Sequence, residues 1–307
     1  MMRTQGLVLF GLALLAALSM AGGYPLPAML LMPAPVAYLW TRGRFFPAVL
    51  MVGSLGAIPI FLSGAYFFGS ILVLMGVTGI LLGIMMRRQV SVGPAVAVVT
   101  VLIFGIAAGR TALTWQESRA EWHSALEAYK SQFKDVESSE SIDSTLNLLT
   151  WFDENWLYIS FGMLFGLVAL ATVAVVGTLY RTLALQGLIN PPNWRFSRMR
   201  VPEHGVWLAI ALAGLWFLDD WRPNEIVRCV AWNGAIAMAI VYWINGLSIA
   251  VCAVVAFQMK LAWVLLVFVA AFVFNFHQML ALIGLFDTWW DFRLKVRQMA
   301  EARQKSD

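Results

Sequence analysis

Long apolar stretches separated by short polar turns fill most of this 307-residue chain. A hydrocarbon core of about 30 Å needs roughly 20 helical residues, so stretches of this length predict membrane-spanning helices. The pattern therefore predicts an all-α fold, a polytopic transmembrane helical bundle with one short extracytoplasmic helical segment. The hydrophobic segments lie at about 5–21, 24–41, 45–63, 66–86, 90–110, 156–180, 204–218, 226–258 and 261–286.

The distribution of charge predicts which ends of these segments face the cytoplasm. No Asp or Glu precedes residue 110, and basic residues are concentrated in short turns and in the carboxyl tail. Because Lys and Arg beside a span resist translocation, these regions are expected inside, with both termini cytoplasmic. Both termini can share one side only if the number of spans is even. We expect eight spans if 204–218 is re-entrant, or ten if 226–258 folds back at Asn245-Gly246.

Residues 113–155 differ from the rest of the chain, because nine acidic residues accumulate there from Glu117 to Glu154. At the start of this stretch, Trp122, Leu126, Tyr129 and Phe133 recur at helical spacing, which predicts an amphipathic helix. The acidic, Ser-rich residues 134–144 that follow are typical of a solvated connection. We therefore divide the chain into a five-span amino-terminal bundle (1–112), this extracytoplasmic segment (113–155), a carboxyl-terminal span bundle (156–290) and a basic cytoplasmic tail (291–307).

Composition narrows the function classes. The chain is 61% hydrophobic and 12% charged, with a mean hydropathy of +0.76, whereas globular domains average roughly 25% charged residues. A cytosolic enzyme, a nucleic-acid-binding protein and a disulfide scaffold are excluded on these grounds. The three histidines are far apart, and no phosphate loop, nucleophile elbow or CxxC pair is present. We therefore expect no enzymatic activity, no catalytic residue, no cofactor and no metal site.

Polar residues inside the late hydrophobic segments are candidates for a binding pocket, because burying them in hydrocarbon is costly. The first five segments contain almost no such residues, so a pocket would lie in the carboxyl-terminal half. The alternative is that each polar side chain makes a hydrogen bond between neighbouring helices. The candidate pocket residues are Asn233, Asn245, Asn275, His277 and Gln278.

The string Gly284-Leu285-Phe286-Asp287-Thr288-Trp289-Trp290-Asp291-Phe292-Arg293 is the most specific motif of the chain. Asp287 and Asp291 are one helical turn apart, where two carboxylates repel unless cations or donors are close. Arg293 can neutralise one of them, so we expect a second partner for Asp287, either backbone amides or the basic loop. The motif is either a lock for the last span or a site for a partner. Its candidate residues are Gly284, Asp287, Trp289, Asp291 and Arg293, and the loop basic residues are Arg195, Arg198 and Arg200.

This motif resembles the YybS-like family of bacterial inner-membrane proteins, whose domain has no assigned function. The run Tyr242-Trp243-Ile244-Asn245-Gly246-Leu247 after Asn233 and the Pro-rich second segment add to the resemblance. The resemblance implies a multi-pass protein of the bacterial inner (cytoplasmic) membrane. It also implies a fold similar to the substrate-binding S-components of energy-coupling-factor transporters.

Two functions follow as hypotheses. The first is S-component-like binding or transport of a small molecule, with a separate energising ATPase module as partner. The second is a membrane scaffold or assembly factor that binds other membrane proteins. Both place the chain in contact with the lipid bilayer and without nucleic acid, and a homo-oligomer is left open.

Overall fold

The computed structural model describes residues 31–63, 66–132, 140–190, 195–259, 266 and 277–306, and within these ranges the chain forms helices without strands. Apolar stretches free of internal breaks give the longer helices, and proline or polar turns end them. A 3-10 turn, Phe196–Arg198, precedes α7. The helices are α1 (Pro33–Thr41), α2 (Phe45–Ser63), α3 (Tyr66–Arg87), α4 (Val92–Leu113), α5 (Trp115–Gln132), α6 (Glu140–Leu185), α7 (His204–Trp221), α8 (Glu225–Ala256), α9 (His277–Trp290) and α10 (Phe292–Ser306).

The amino-terminal helices pack around a core that also includes the carboxyl half of α6. Pro33 lies at the start of α1, where a missing amide donor costs no helical hydrogen bond. The turns that follow α1 and α3 are hydrogen-bonded to the chain that follows α6. Arg42 Nη2 donates to Gln186 Oε1 at 2.8 Å, and the Asn190 amide donates to Gln89 Oε1 at 3.1 Å. The basic turns therefore gather at one end of the molecule, which we call the basic end.

The helix α6 has 46 residues, which corresponds to about 69 Å. This length is about twice the hydrocarbon core, so part of α6 extends beyond the bilayer. The predicted boundary at 155–156 falls inside this continuous helix, and residues 140–144 are helical although we expected a solvated connection. No Pro or Gly interrupts 140–155, which explains the continuity. Of the predicted amphipathic face, Leu126 is buried, whereas Phe133 lies outside the described residues.

The helices α6, α7 and α8 alternate in direction. Gly162 of α6 packs at Asn233 of α8 and Gly166 packs at Ile240, so α6 and α8 run parallel. Gly205 at the start of α7 lies beside Tyr242, and Leu212 lies against Gly234 earlier in α8. The helix α7 is thus antiparallel to both. Because α8 starts at the end opposite the basic end, it returns the chain to the basic end.

The proposed fold-back of 226–258 is wrong, since α8 continues through Asn245 and Gly246. Gly246 serves close helix packing at this point rather than a turn. By length and apolar composition, three helical stretches of the described residues can cross a membrane: Val92–Leu113, Ser144–Leu185 and Glu225–Ala256. The re-entrant form of 204–218, on which a total of eight depends, does not fit α7, which is one continuous helix that leads from the basic end to the start of α8. The total number of spans stays a prediction, because 1–30 and most of 260–276 lie outside the described residues.

Sidedness is testable by cysteine accessibility in a variant lacking Cys229 and Cys252. The acid-free first 109 residues and the basic turns predict that Ser139→Cys reacts with an impermeant maleimide added to intact cells. We expect Ser306→Cys to react only after the cells are opened. Labelling of Ser306→Cys in intact cells would contradict the even-span topology.

Candidate functional site

The tail motif breaks at Asp291, where one helix ends and the next begins. Asp291 adopts a φ of 38°, in the left-handed region that Asp tolerates better than most residues. Its side chain accepts from the Leu294 amide at 3.2 Å and so caps the start of α10. Asp287 and Asp291 therefore do not belong to one continuous helix. This turn brings Arg293 back toward the interior of the bundle.

Arg293 is the largest side chain that the described residues bury completely, with 1% of its surface exposed. Its Nη1 donates to Asp287 Oδ2, and the Asp287 side chain is also buried. Its Nη2 donates to the Met199 carbonyl oxygen, to Asn245 Oδ1 at 2.9 Å and to Ser248 Oγ at 3.0 Å. Burial lowers the pKa of Arg293, while the charge of Asp287 opposes that change. A guanidinium stays protonated in proteins, so this is a buried ion pair.

Asn245 and Ser248 connect this arginine to the other elements. Asn245 Nδ2 donates to the Gly284 carbonyl oxygen of α9 at 2.8 Å, and Ser248 Oγ lies 2.6 Å from the Phe196 carbonyl oxygen. We call Arg293, Asp287, Asn245 and Ser248, with the Met199 carbonyl, the arginine cluster. It joins the basic loop, α8, α9 and α10 through one buried cation.

The close approach of α8 and α9 depends on two glycines. A Cβ atom at Gly246 would overlap the Leu280 carbonyl oxygen, and one at Gly284 would overlap the Tyr242 carbonyl oxygen. Gly284 was a candidate residue of the motif, and its role here is to let two backbones touch. Asn245 could not reach the Gly284 carbonyl oxygen across a wider gap.

The partners of the two aspartates differ from the expectation. We expected the basic loop or backbone amides to pair with Asp287, but Arg293 pairs with it and Arg200 of the loop pairs with Asp291. The helix break at Asp291 is the physical reason, because it frees Arg293 from the register of α9. The Arg200 hydrogen bond is the largest cause that lowers the pKa of Asp291, and the same contact raises the pKa of Arg200.

The Arg200–Asp291 pair predicts a loss of stability in acid. Because the pKa of Asp291 is lower in the folded protein, its contribution is present above the unfolded pKa of about 4 and disappears as pH falls through the folded pKa. Both side chains are more than one third exposed, so the contribution is at most about 1 kcal/mol. We expect Asp291→Asn to reduce the fall in Tm between neutral and acidic pH. Asp220→Asn, at an exposed position of α7, is the control and should keep the full fall.

The other predicted pocket residues are not gathered into one cavity. Asn233 accepts from the Gly162 amide at 2.7 Å and donates to the Leu157 carbonyl oxygen at 2.9 Å, so it bridges α6 and α8. Asn245 is twelve residues further along α8, about 18 Å away along the helix axis. Gln278 is exposed on α9. Asn275 and the side chain of His277 lie outside what the structure describes, so their part in a pocket stays a prediction.

A separate groove of about 480 Å³ opens where α4 meets α5, at the end of the bundle opposite the basic end. Trp115 and Phe161 stack across it with ring centroids 6.3 Å apart. Leu113, Gln116 and Glu117 also line it, so its lining is partly apolar and partly polar. Asn233, Asn245 and Gln278, the predicted pocket residues whose side chains the structure describes, do not contribute to this groove.

Sequence reasoning missed Ser248, the Met199 carbonyl oxygen and Gly246 as members of the site. The signal was present in part, because Asn245, Gly246 and Ser248 follow one another within one turn of an otherwise apolar helix. Backbone carbonyls such as that of Met199 leave no such signal, since every residue carries one. Within the described residues, no group of His, Cys, Asp and Glu could hold a metal ion.

By their length and apolar composition, the three span-length helices among the described residues indicate an integral membrane protein of the helical class. The chain belongs to the family described as a predicted membrane protein (DUF2232), whose model matches residues 12–288. The match includes Gly284 and Asp287 and ends before Asp291 and Arg293. No curated protein and no solved structure matches the chain.

Proposed function

We propose that this membrane protein is a non-catalytic scaffold or assembly factor that binds another membrane protein. The binding surface in this proposal is the acidic hairpin, which consists of α5 and residues 140–155 of α6. The observation that carries it is the exposure of Leu148 and Trp151 on this hairpin, with 54% and 41% of their surfaces accessible. Both residues precede the predicted span at about 156–180, and large apolar side chains exposed outside a span are typical of protein interaction sites.

Aromatic and polar contacts join the two helices of the hairpin. Trp122 of α5 stacks on Trp156 of α6 with ring centroids 5.6 Å apart, and His123 Nδ1 lies 3.1 Å from Asp153 Oδ2. Leu126 of α5 is buried. Since α6 continues from the hairpin into its apolar span, a partner bound there would be held at a fixed position relative to the bilayer.

The polar residues of the late helices favour this function over a ligand pocket. Asn233 and Asn245 use their amides to join helices, and Asn245 also binds Arg293. A pocket for a small molecule needs polar groups that remain available to the ligand. The side-chain amides of Asn233 and Asn245 are instead used within the protein.

Site-specific photocrosslinking tests the scaffold function. A photoreactive residue is placed at Leu148 or Trp151, and at the exposed α7 positions Leu208 and Phe217 as matched apolar controls. We expect both hairpin positions, and neither α7 position, to crosslink to the same membrane protein, and Trp151→Ala to weaken that complex. Native mass spectrometry of the complex should show no bound small molecule. Crosslinking to different proteins from the two hairpin positions, or to none, would contradict the proposal.

The groove beside Trp115 favours a second function, S-component-like binding of a small molecule with a separate energising partner. Its volume and stacked aromatic walls fit a compact, largely apolar ligand. For this function we expect native mass spectra of the purified protein to show a retained small molecule, and Phe161→Ala to lose it. We also expect an ATPase to copurify with the protein. Spectra of the purified protein without such a molecule would leave the scaffold function ahead.

A further inference from the structure

Two segments that are far apart in sequence form one charged surface at the basic end. Arg200 pairs with Asp291, and Arg293 binds the Met199 carbonyl oxygen, so the loop at 195–203 and the tail at 291–303 lie side by side. Six basic residues face three acidic ones here, and one of each is used in the Arg200–Asp291 pair. The basic residues are Arg195, Arg198, Arg200, Lys295, Arg297 and Arg303, and the acidic residues are Glu203, Asp291 and Glu301. We call this the loop–tail surface.

Large apolar side chains are exposed beside these cations. Trp289 and Trp290, the last residues of α9, are both more than half exposed, as is Leu294 in the first turn of α10. Phe286 stacks on Trp290 with ring centroids 5.1 Å apart, which helps to fix the position of that ring. Exposing these large apolar side chains to bulk water would be unfavourable. Tryptophan beside lysine and arginine is typical of the headgroup layer of a bilayer.

We propose that the loop–tail surface binds the phosphate headgroups of anionic phospholipids, with Arg195, Arg198, Lys295 and Arg297 as the cationic contacts. Trp289 and Trp290 then lie at the level of the glycerol region. An acidic protein would satisfy the cations but would not account for tryptophans beside them at the end of an apolar helix. Clusters of basic residues next to a membrane helix attract anionic lipids by about five-fold in affinity for each residue.

The arginine cluster links lipid binding to the stability of the carboxyl-terminal bundle. The loop and the tail form the surface only while Arg293 and the Arg200–Asp291 pair hold them together. A lipid that contacts both segments therefore favours the assembled state over the separated one. This inference does not depend on the scaffold function, since the purified protein alone is sufficient to test it.

The experiment compares the purified protein in phosphatidylcholine nanodiscs with the protein in nanodiscs that also contain phosphatidylglycerol. We expect phosphatidylglycerol to raise the Tm and to be retained in native mass spectra, and high salt to weaken both effects. The Lys295→Gln/Arg297→Gln variant should bind phosphatidylglycerol more than ten-fold less tightly. Its Tm in phosphatidylcholine alone should equal that of the wild type, because both side chains are exposed.

Arg119→Gln/Arg222→Gln removes the same charge from exposed positions at the opposite end and is the matched control. It should keep the full preference for phosphatidylglycerol. Equal losses in the two variants would mean that only net charge matters, and this result would overturn the proposal. An unchanged lipid preference in Lys295→Gln/Arg297→Gln would also overturn it and would leave the surface to an acidic protein partner.

Discussion

Replacing Arg293 by methionine should lower the free energy of unfolding by about 3–5 kcal/mol. The substitution leaves the buried Asp287 carboxylate without its guanidinium, and it removes donors from the Met199 carbonyl oxygen and Asn245 Oδ1. Methionine keeps the apolar stem of the side chain, so the loss reports mainly on the guanidinium group, with its charge and its hydrogen bonds. Unfolding by titration with SDS in mixed micelles measures the difference in the free energy of unfolding between the variant and the wild type.

The matched control is Arg200→Met, which removes the other arginine of the same region. Arg200 and Asp291 are partly exposed, so their pair contributes at most about 1 kcal/mol. We therefore expect a loss at least three-fold smaller than for Arg293→Met. Similar losses in the two variants would mean that Arg293 is not the buried centre of the cluster.

Adding one methyl group at the crossing of α8 and α9 should have the second largest effect. In Gly246→Ala the new Cβ atom would overlap the Leu280 carbonyl oxygen, and in Gly284→Ala it would overlap that of Tyr242. Both neighbours are backbone atoms, so the helices must separate. We expect each variant to lose about 1–3 kcal/mol and to weaken the hydrogen bond from Asn245 to Gly284.

Gly105→Ala is the control for this pair, because no atom lies within 4 Å of the Cβ position at Gly105. The substitution should leave stability unchanged or raise it by up to about 1 kcal/mol through helix propensity. A loss of stability at Gly105 comparable to that at Gly246 would show that the effect does not depend on the close crossing of α8 and α9.

In lipid, the backbone polar groups must find hydrogen-bond partners within the protein, and a helix supplies them within one segment. The apolar pattern therefore predicted much of the helical architecture within the described residues. It did not predict that α6 would run from the acidic segment through the span. The absence of proline and glycine from 140–155 indicated a continuous helix, but the polar composition favoured a solvated connection. The fold-back at Asn245-Gly246 failed for a related reason, since glycine can serve a turn or a close crossing equally well.

The charged residues of the tail motif form ion pairs in the structure, but in a different pairing from the one that we expected. The arginine cluster includes Asp287 and Arg293, and it contacts the Gly284 carbonyl oxygen. Asp291 lies beside the cluster and pairs with Arg200, whereas Trp289 is exposed. The pairing could not be derived because it depends on the helix break at Asp291. An aspartate followed by a polar helix is a capping signal, yet the i, i+4 spacing of two aspartates favoured one continuous helix.

The central claim is that one buried ion pair holds the basic loop, α8, α9 and α10 together. A double-mutant cycle with Asp287→Asn, Arg293→Met and the combined variant tests it most directly. We predict that the combined variant is more stable than the sum of the single losses implies, with a coupling of at least about 2 kcal/mol. Additivity of the two losses within about 0.5 kcal/mol would contradict the claim, because it would show that Asp287 and Arg293 do not interact in the folded protein.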